Sequence, residues 1–105
     1  MGKNVRVVLM TAPQGKKSQS LAKALVQERL AACVNVIPSI VSYYRWKGRL
    51  HQDNESLLIA KTTSAKLPAL MRWVTKHHPY TVPEILALPV VCGSPTYLRW
   101  LSEQV

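Results

Sequence analysis

The run best suited to chemistry is His77-His78-Pro79-Tyr80, with Glu84 four residues beyond Tyr80. Imidazole nitrogens suit copper, zinc and nickel, and copper(II) stands highest in the divalent affinity order. On a continuing helix, adjacent side chains diverge by about 100 degrees, given 3.6 residues per turn. His78 precedes a proline, which pushes it out of the α region, so the two rings can still converge. The Glu84 carboxylate lies within loop reach to complete or orient such a site. A structural reading competes: the histidines cap a helix C-terminus, where positive charge is favoured, and Tyr80 packs. Lys61 with Tyr80 and Glu84 makes a second group, suited to an anionic small molecule in a cleft. Tyr43, Tyr44 and Trp46 make a third, read as interface packing. Glu28 and Arg29 read as an ordinary exposed pair.

No catalytic constellation accompanies these groups. The sequence lacks G-x-S-x-G, the phosphate-binding loop, the dinucleotide glycine pattern and H-E-x-x-H. Only five Asp and Glu are present, and no two form a credible acid/base pair. A binding protein is expected, not an enzyme.

Charge and composition narrow the partners. Fourteen Lys and Arg against five Asp and Glu give a formal +9, a field that attracts anions. The basic residues are dispersed, however, and the densest cluster is Arg45, Lys47 and Arg49. With no Phe, the strands offer no stacking platform of the RNA-binding type. Specific nucleic-acid binding is therefore not expected. No stretch approaches the roughly 20 apolar residues of a membrane span. The apolar run at 7–10 is too short for a secretory signal. Met1-Gly2 resembles a myristoylation start, but Arg6 stands where Ser or Thr is wanted. The expected location is the cytoplasm, where Cys33 and Cys92 would be reduced, buried and inert.

These groups need elements to position them. Val5–Ala12 is a β-branched apolar run closed by Pro13, Gln14 and Gly15, and reads as a buried central strand. Ser18 is the expected N-cap of a helix carrying Leu21, Ala24 and Leu25 and ending near Ala32. Residues 34–46 are strand-like, and Pro38 predicts a bulge, bend or edge there. Lys47-Gly48-Arg49 is the turn, and 56–63 alternates as the returning strand. Ser64 is the expected cap of a helix with the stripe Leu67, Leu70, Met71 and Val74, tolerant of Pro68 and ended by Pro79. A fourth strand is predicted over 85–92. Ser94-Pro95 then opens a short helix with Tyr97, Leu98, Trp100 and Leu101.

The order is strand–helix–strand twice over, plus a terminal helix, in one α+β domain spanning 1–105. Right-handed crossovers turn that order into a ferredoxin-like βαβ-βαβ sandwich. It has an antiparallel sheet, both main helices on one face, a long bent hairpin and a C-terminal helix. The second strand is too long for its own sheet. An overhanging edge needs a cover, and a symmetric partner is the expected one.

Six segments occur together in order: TAP, ERLAACVN, YRWKG, LLIAKT, HHPYTVPEILALPV and YLRWL. They span nearly the whole chain, and the set resembles the CutA divalent-cation-tolerance family. The resemblance implies a PII-like homotrimer associated with tolerance to copper and other divalent ions, with no defined reaction. The family's proposed copper ligands fall here on His77 and His78. A further first-strand position, cysteine in some bacterial members, is Met10 in this chain. The expected function is a cytoplasmic, copper-responsive protein that binds a divalent metal and contributes to metal tolerance. The alternative is a PII-like signalling or scaffold trimer whose intersubunit clefts take an anionic small molecule or a protein partner. In either case an arm bearing Tyr43, Tyr44 and Trp46 would pair with a neighbour's edge and close a ring, while Trp100 clasps that neighbour.

Overall fold

A computed structural model describes residues 4–105, so the Met1-Gly2 reading lies outside the described residues. The elements are β1 (Val5–Ala12), α1 (Lys16–Gln27), β2 (Cys33–Trp46), β3 (Arg49–Thr63), α2 (Leu67–His77), β4 (Ile85–Pro89) and α3 (Pro95–Glu103). The sheet order is β2-β3-β1-β4, with every pairing antiparallel. That is the order two right-handed crossovers dictate.

Alternation along β1 divides the sheet into two faces. Val8, Met10 and Ala12 are buried opposite Ala60, Leu58 and Ser56. They pack with Leu21 and Leu25 of α1 and with Leu70 and Val74 of α2. Each large side chain buried there contributes roughly 2 kcal/mol, so this layer is the main source of folding stability. The opposite parity carries Val7 and Leu9, flanked by Ile59 on β3 and by Leu86 and Leu88 on β4. Leu86 keeps 56% and Leu88 46% of its surface exposed. This second apolar face is left open by α1 and α2.

Several boundaries differ from expectation for physical reasons. Helix α1 stops at Gln27 because Arg29 takes the left-handed conformation, φ 55. The Arg29 N–H donates to Val26 O at 3.0 Å and the Leu30 N–H to Leu25 O at 2.9 Å. This is the Schellman closure, made without the usual glycine, and Leu30 buries beside Leu25 in the core. Ser18 is not the cap: it lies inside α1, buried, with Oγ donating to Gly15 O at 2.9 Å. Ser64 is not a cap either. Lys66 stands at that position, its N–H donating to Thr63 O and Oγ1. Met71 is exposed and drops out of the α2 stripe. Strand β4 ends at Pro89, with one further bond to β1 from the Val90 N–H to Val5 O at 3.4 Å. Cys92 therefore lies beyond the sheet and is exposed, and Cys33 is only half-buried, so neither is the buried thiol expected.

The hairpin has its expected bulge and turn, but the returning strand begins at Arg49, seven residues before the expected start at 56. The register shifts between Ile37 and Ile40, so two residues, Pro38 and Ser39, face Ser56. Ser56 Oγ donates to Pro38 O at 2.9 Å and pins this bulge. Lys47 and Gly48 both have positive φ, 51 and 76, as a two-residue type I′ turn requires. Because β1 pairs only as far as Ser56, residues 40–46 and 49–55 project as a two-stranded arm. At the far end, Leu98 and Leu101 of α3 pack against Val5 and Ala32. Ser94 Oγ accepts from the Tyr97 N–H and caps α3 as expected. Among the described residues, no helix is long and apolar enough to cross a membrane.

Candidate functional site: an acidic, aromatic cleft and a divided histidine pair

Pro79 sets the local geometry. It holds His78 extended at the end of α2, φ −73 and ψ 140, while the His78 N–H still donates to Val74 O at 2.8 Å. The two histidine rings consequently part. His77 stays on the exposed helix surface, stacked on Trp73 with ring centroids 4.2 Å apart. Its Nδ1–H donates to Trp73 O at 2.8 Å, so Nε2 carries the outward lone pair. A ring orientation fixed by a backbone acceptor is characteristic of metal-ligating histidines.

His78 turns inward and is buried. Its Nδ1 accepts the Tyr80 N–H at 3.0 Å, and its Nε2 lies 2.8 Å from Thr11 O. A peptide N–H can only donate and a carbonyl only accept, so the tautomer is set and both nitrogens are engaged. His78 thus has no lone pair for a metal; it ties the end of α2 to β1 and to the following loop. Met10 is 2% exposed within the core, away from the surface where His77 lies. Among the described residues, no three of His, Cys, Asp and Glu are grouped closely enough to hold a metal ion. One protomer therefore does not assemble Met10, His77, His78 and Glu84 into a closed metal centre.

Tyr80 leads from this histidine to a cleft of about 750 Å³ between the arm and loop 79–84. Alternation puts Ser42, Tyr44 and Trp46 on one side of the arm with Asp53 and Glu55. His51, stacked on Tyr44 at 5.3 Å, and Arg49 share that side but lie outside the cavity lining. Val41 and Leu50 share the outer side, well exposed, with Tyr43, whose ring also reaches the cleft's rim. Tyr80 donates from its hydroxyl to Glu55 Oε1 at 3.0 Å, and Tyr44 donates to Asp53 Oδ2. Glu84 lines the same space from the loop. Lys61 does not: it sits six residues along β3 from Glu55, roughly 20 Å at strand rise. There it pairs with Val7 and Cys33 and donates to Asn35 Oδ1. The cleft is thus acidic and aromatic, not the basic anion pocket expected. Trp100 is on α3, remote in sequence, half-exposed and tilted against Tyr97 at 5.6 Å.

Sequence reasoning missed Asp53 and Glu55. Both fall in the polar stretch before Ser56, where low strand propensity hid the start of β3. Their i, i+2 spacing opposite the Tyr-Tyr-x-Trp arm was the available signal. Burial, then the Glu55 hydrogen bond and carboxylate, push the Tyr80 phenol up to about 12 from 10.0. The neutral phenol is thereby favoured in the folded chain, so stability is full below about pH 10 and falls as pH rises toward 12. Tyr44 is raised as well, first by its hydrogen bond to Asp53. Ultraviolet titration of phenolate should show a late ionisation near pH 12 that vanishes in Tyr80→Phe. A Tyr80 ionisation at the ordinary value would refute the buried contact.

An α+β sandwich with an extended hairpin arm over an acidic, aromatic cleft defines the class. The profile described as CutA1 divalent ion tolerance protein matches residues 6–104, and the chain belongs to that family. The divalent-cation tolerance protein CutA of Thermus thermophilus is 53% identical over 97 residues, covering 92% of this chain and 94% of that one. The Escherichia coli O139:H28 protein of the same description is 46% identical, covering 94% and 88%. Mouse Protein CutA is 46% identical, but this chain spans only 56% of its length. The solved structure of the Thermus thermophilus divalent cation tolerance protein superposes with a TM-score of 0.93 at 51% identity, covering 95% of this chain and 97% of that one.

Proposed function

We propose that this chain is a homotrimeric cytoplasmic protein that contributes to divalent-cation tolerance by binding the ion, copper foremost, with no reaction of its own. The observation that carries the reading is His77, whose Nδ1–H is anchored on Trp73 O and whose Nε2 points outward. The descriptions of its relatives as tolerance proteins support the same role. With only one open imidazole from the His77-His78 pair, the remaining ligands would come from a neighbouring subunit. The open apolar sheet face and the outer side of the arm support such an assembly. Free Cys33 and Cys92 suit a reducing compartment.

Calorimetry with copper(II) and zinc(II) tests the binding. Losing a coordinating imidazole should weaken copper by at least about tenfold in His77→Ala. Unchanged heat in that variant would remove His77 from the site.

A further inference from the structure

The charge of the cleft is at odds with the charge of the chain. Against 14 Lys and Arg the sequence has five Asp and Glu, and three of those five line this one cavity. No Lys, Arg or His lines it. Glu55 is 7% exposed, accepts from the Tyr80 hydroxyl and forms no ion pair with any described residue. A buried carboxylate without a counter-ion is costly, and here it faces a cavity. Aromatic side chains, Tyr44 and Trp46, stand beside it.

From these features we infer that the cleft is a binding site for a small organic cation, an ammonium group carried on an apolar or aromatic body. Glu55 and Asp53 supply the counter-charge. Each already accepts a phenol hydroxyl at one oxygen, which fixes the carboxylates in place. The electron-rich ring of Trp46, with Tyr44 stacked on His51 beside it, suits a cation that sheds its water easily, as alkylated ammonium does. A bare metal ion fits less well. The cavity is far larger than one ion, and no three ligating groups converge among the described residues. An anion is excluded by the same three carboxylates. This site is separate from His77, so it stands whether or not His77 binds copper.

The test is calorimetry of the full chain with benzyltrimethylammonium, sodium benzoate and copper(II) chloride. Benzyltrimethylammonium should bind and benzoate should not. Glu55→Gln retains the volume and an acceptor for Tyr80, and should weaken the ammonium by about tenfold or more. Asp53→Asn should weaken it as well, whereas His77→Ala should leave it unchanged. Circular dichroism of each variant checks that it is folded. Four results would overturn the assignment: benzoate binding as tightly as the ammonium, full affinity in folded Glu55→Gln, displacement of the ammonium by equimolar copper, or no ammonium binding because a second copy fills the cleft.

Discussion

Leu86→Asp is expected to sediment as a folded monomer, and the wild type as a trimer, of the 11.8 kDa chain. Leu86 is on the edge strand β4, opposite Leu9, with 56% of its surface exposed in the protomer. A charge there stays hydrated in the isolated subunit and costs the fold little. In an assembly built on the open sheet face, the same charge would be buried among Leu9, Ile59 and Leu88 without a partner. Lost apolar burial and uncompensated desolvation amount to several kcal/mol per copy. Over three symmetric copies that is on the order of 10 kcal/mol, or about seven powers of ten in the association constant. Sedimentation at micromolar concentration reads the mass, and far-ultraviolet circular dichroism confirms the fold. A monomeric wild type, or a Leu86→Asp variant at wild-type mass, would end the sheet-face reading. Trp46→Asp serves as a contrast. Trp46 shares the cleft side of the arm with Tyr44, so association should be less sensitive there than at Leu50 on the outer side.

The periodic parts of this fold are legible in the chain because burial imposes them. Val8, Met10 and Ala12 alternate with Val7 and Leu9, Leu21 and Leu25 recur at helical spacing, and Pro38 marks its bulge. What escapes is set by backbone conformations or tertiary contacts that residue type does not announce. Arg29 adopts a left-handed conformation that sequence favours for glycine, so α1 ends several residues before the periodicity does. Asp53 and Glu55 look like loop residues until Tyr44 and Tyr80 supply their partners. Lys61 has the right chemistry for an anion site, but strand length carries it away from Tyr80. The histidine dipeptide is the sharpest case. Adjacent in sequence and alike in chemistry, its members end in opposite environments because Pro79 forces one of them out of the helix.

That division predicts a separation of stability from metal binding. His78→Phe keeps an aromatic ring and creates no cavity, although the ring is somewhat larger. It removes both hydrogen bonds and leaves Thr11 O and the Tyr80 N–H without their partner in a buried site. Each orphaned group costs roughly 1–3 kcal/mol, for a total loss of about 2–6 kcal/mol. In a domain of this size that lowers Tm by roughly 10–25 °C. Scanning calorimetry should compare the variants at equal protein concentration, since association shifts Tm by mass action. His77→Ala removes an exposed ring stacked on Trp73 and should move stability by less than about 1 kcal/mol. Copper should respond in the reverse pattern. Below its own melting temperature, His78→Phe should retain the copper heat that His77→Ala loses, because the His78 nitrogens are already engaged by backbone. A His78→Phe protein that melts with the wild type, or that loses copper as His77→Ala does, would return His78 to the metal site.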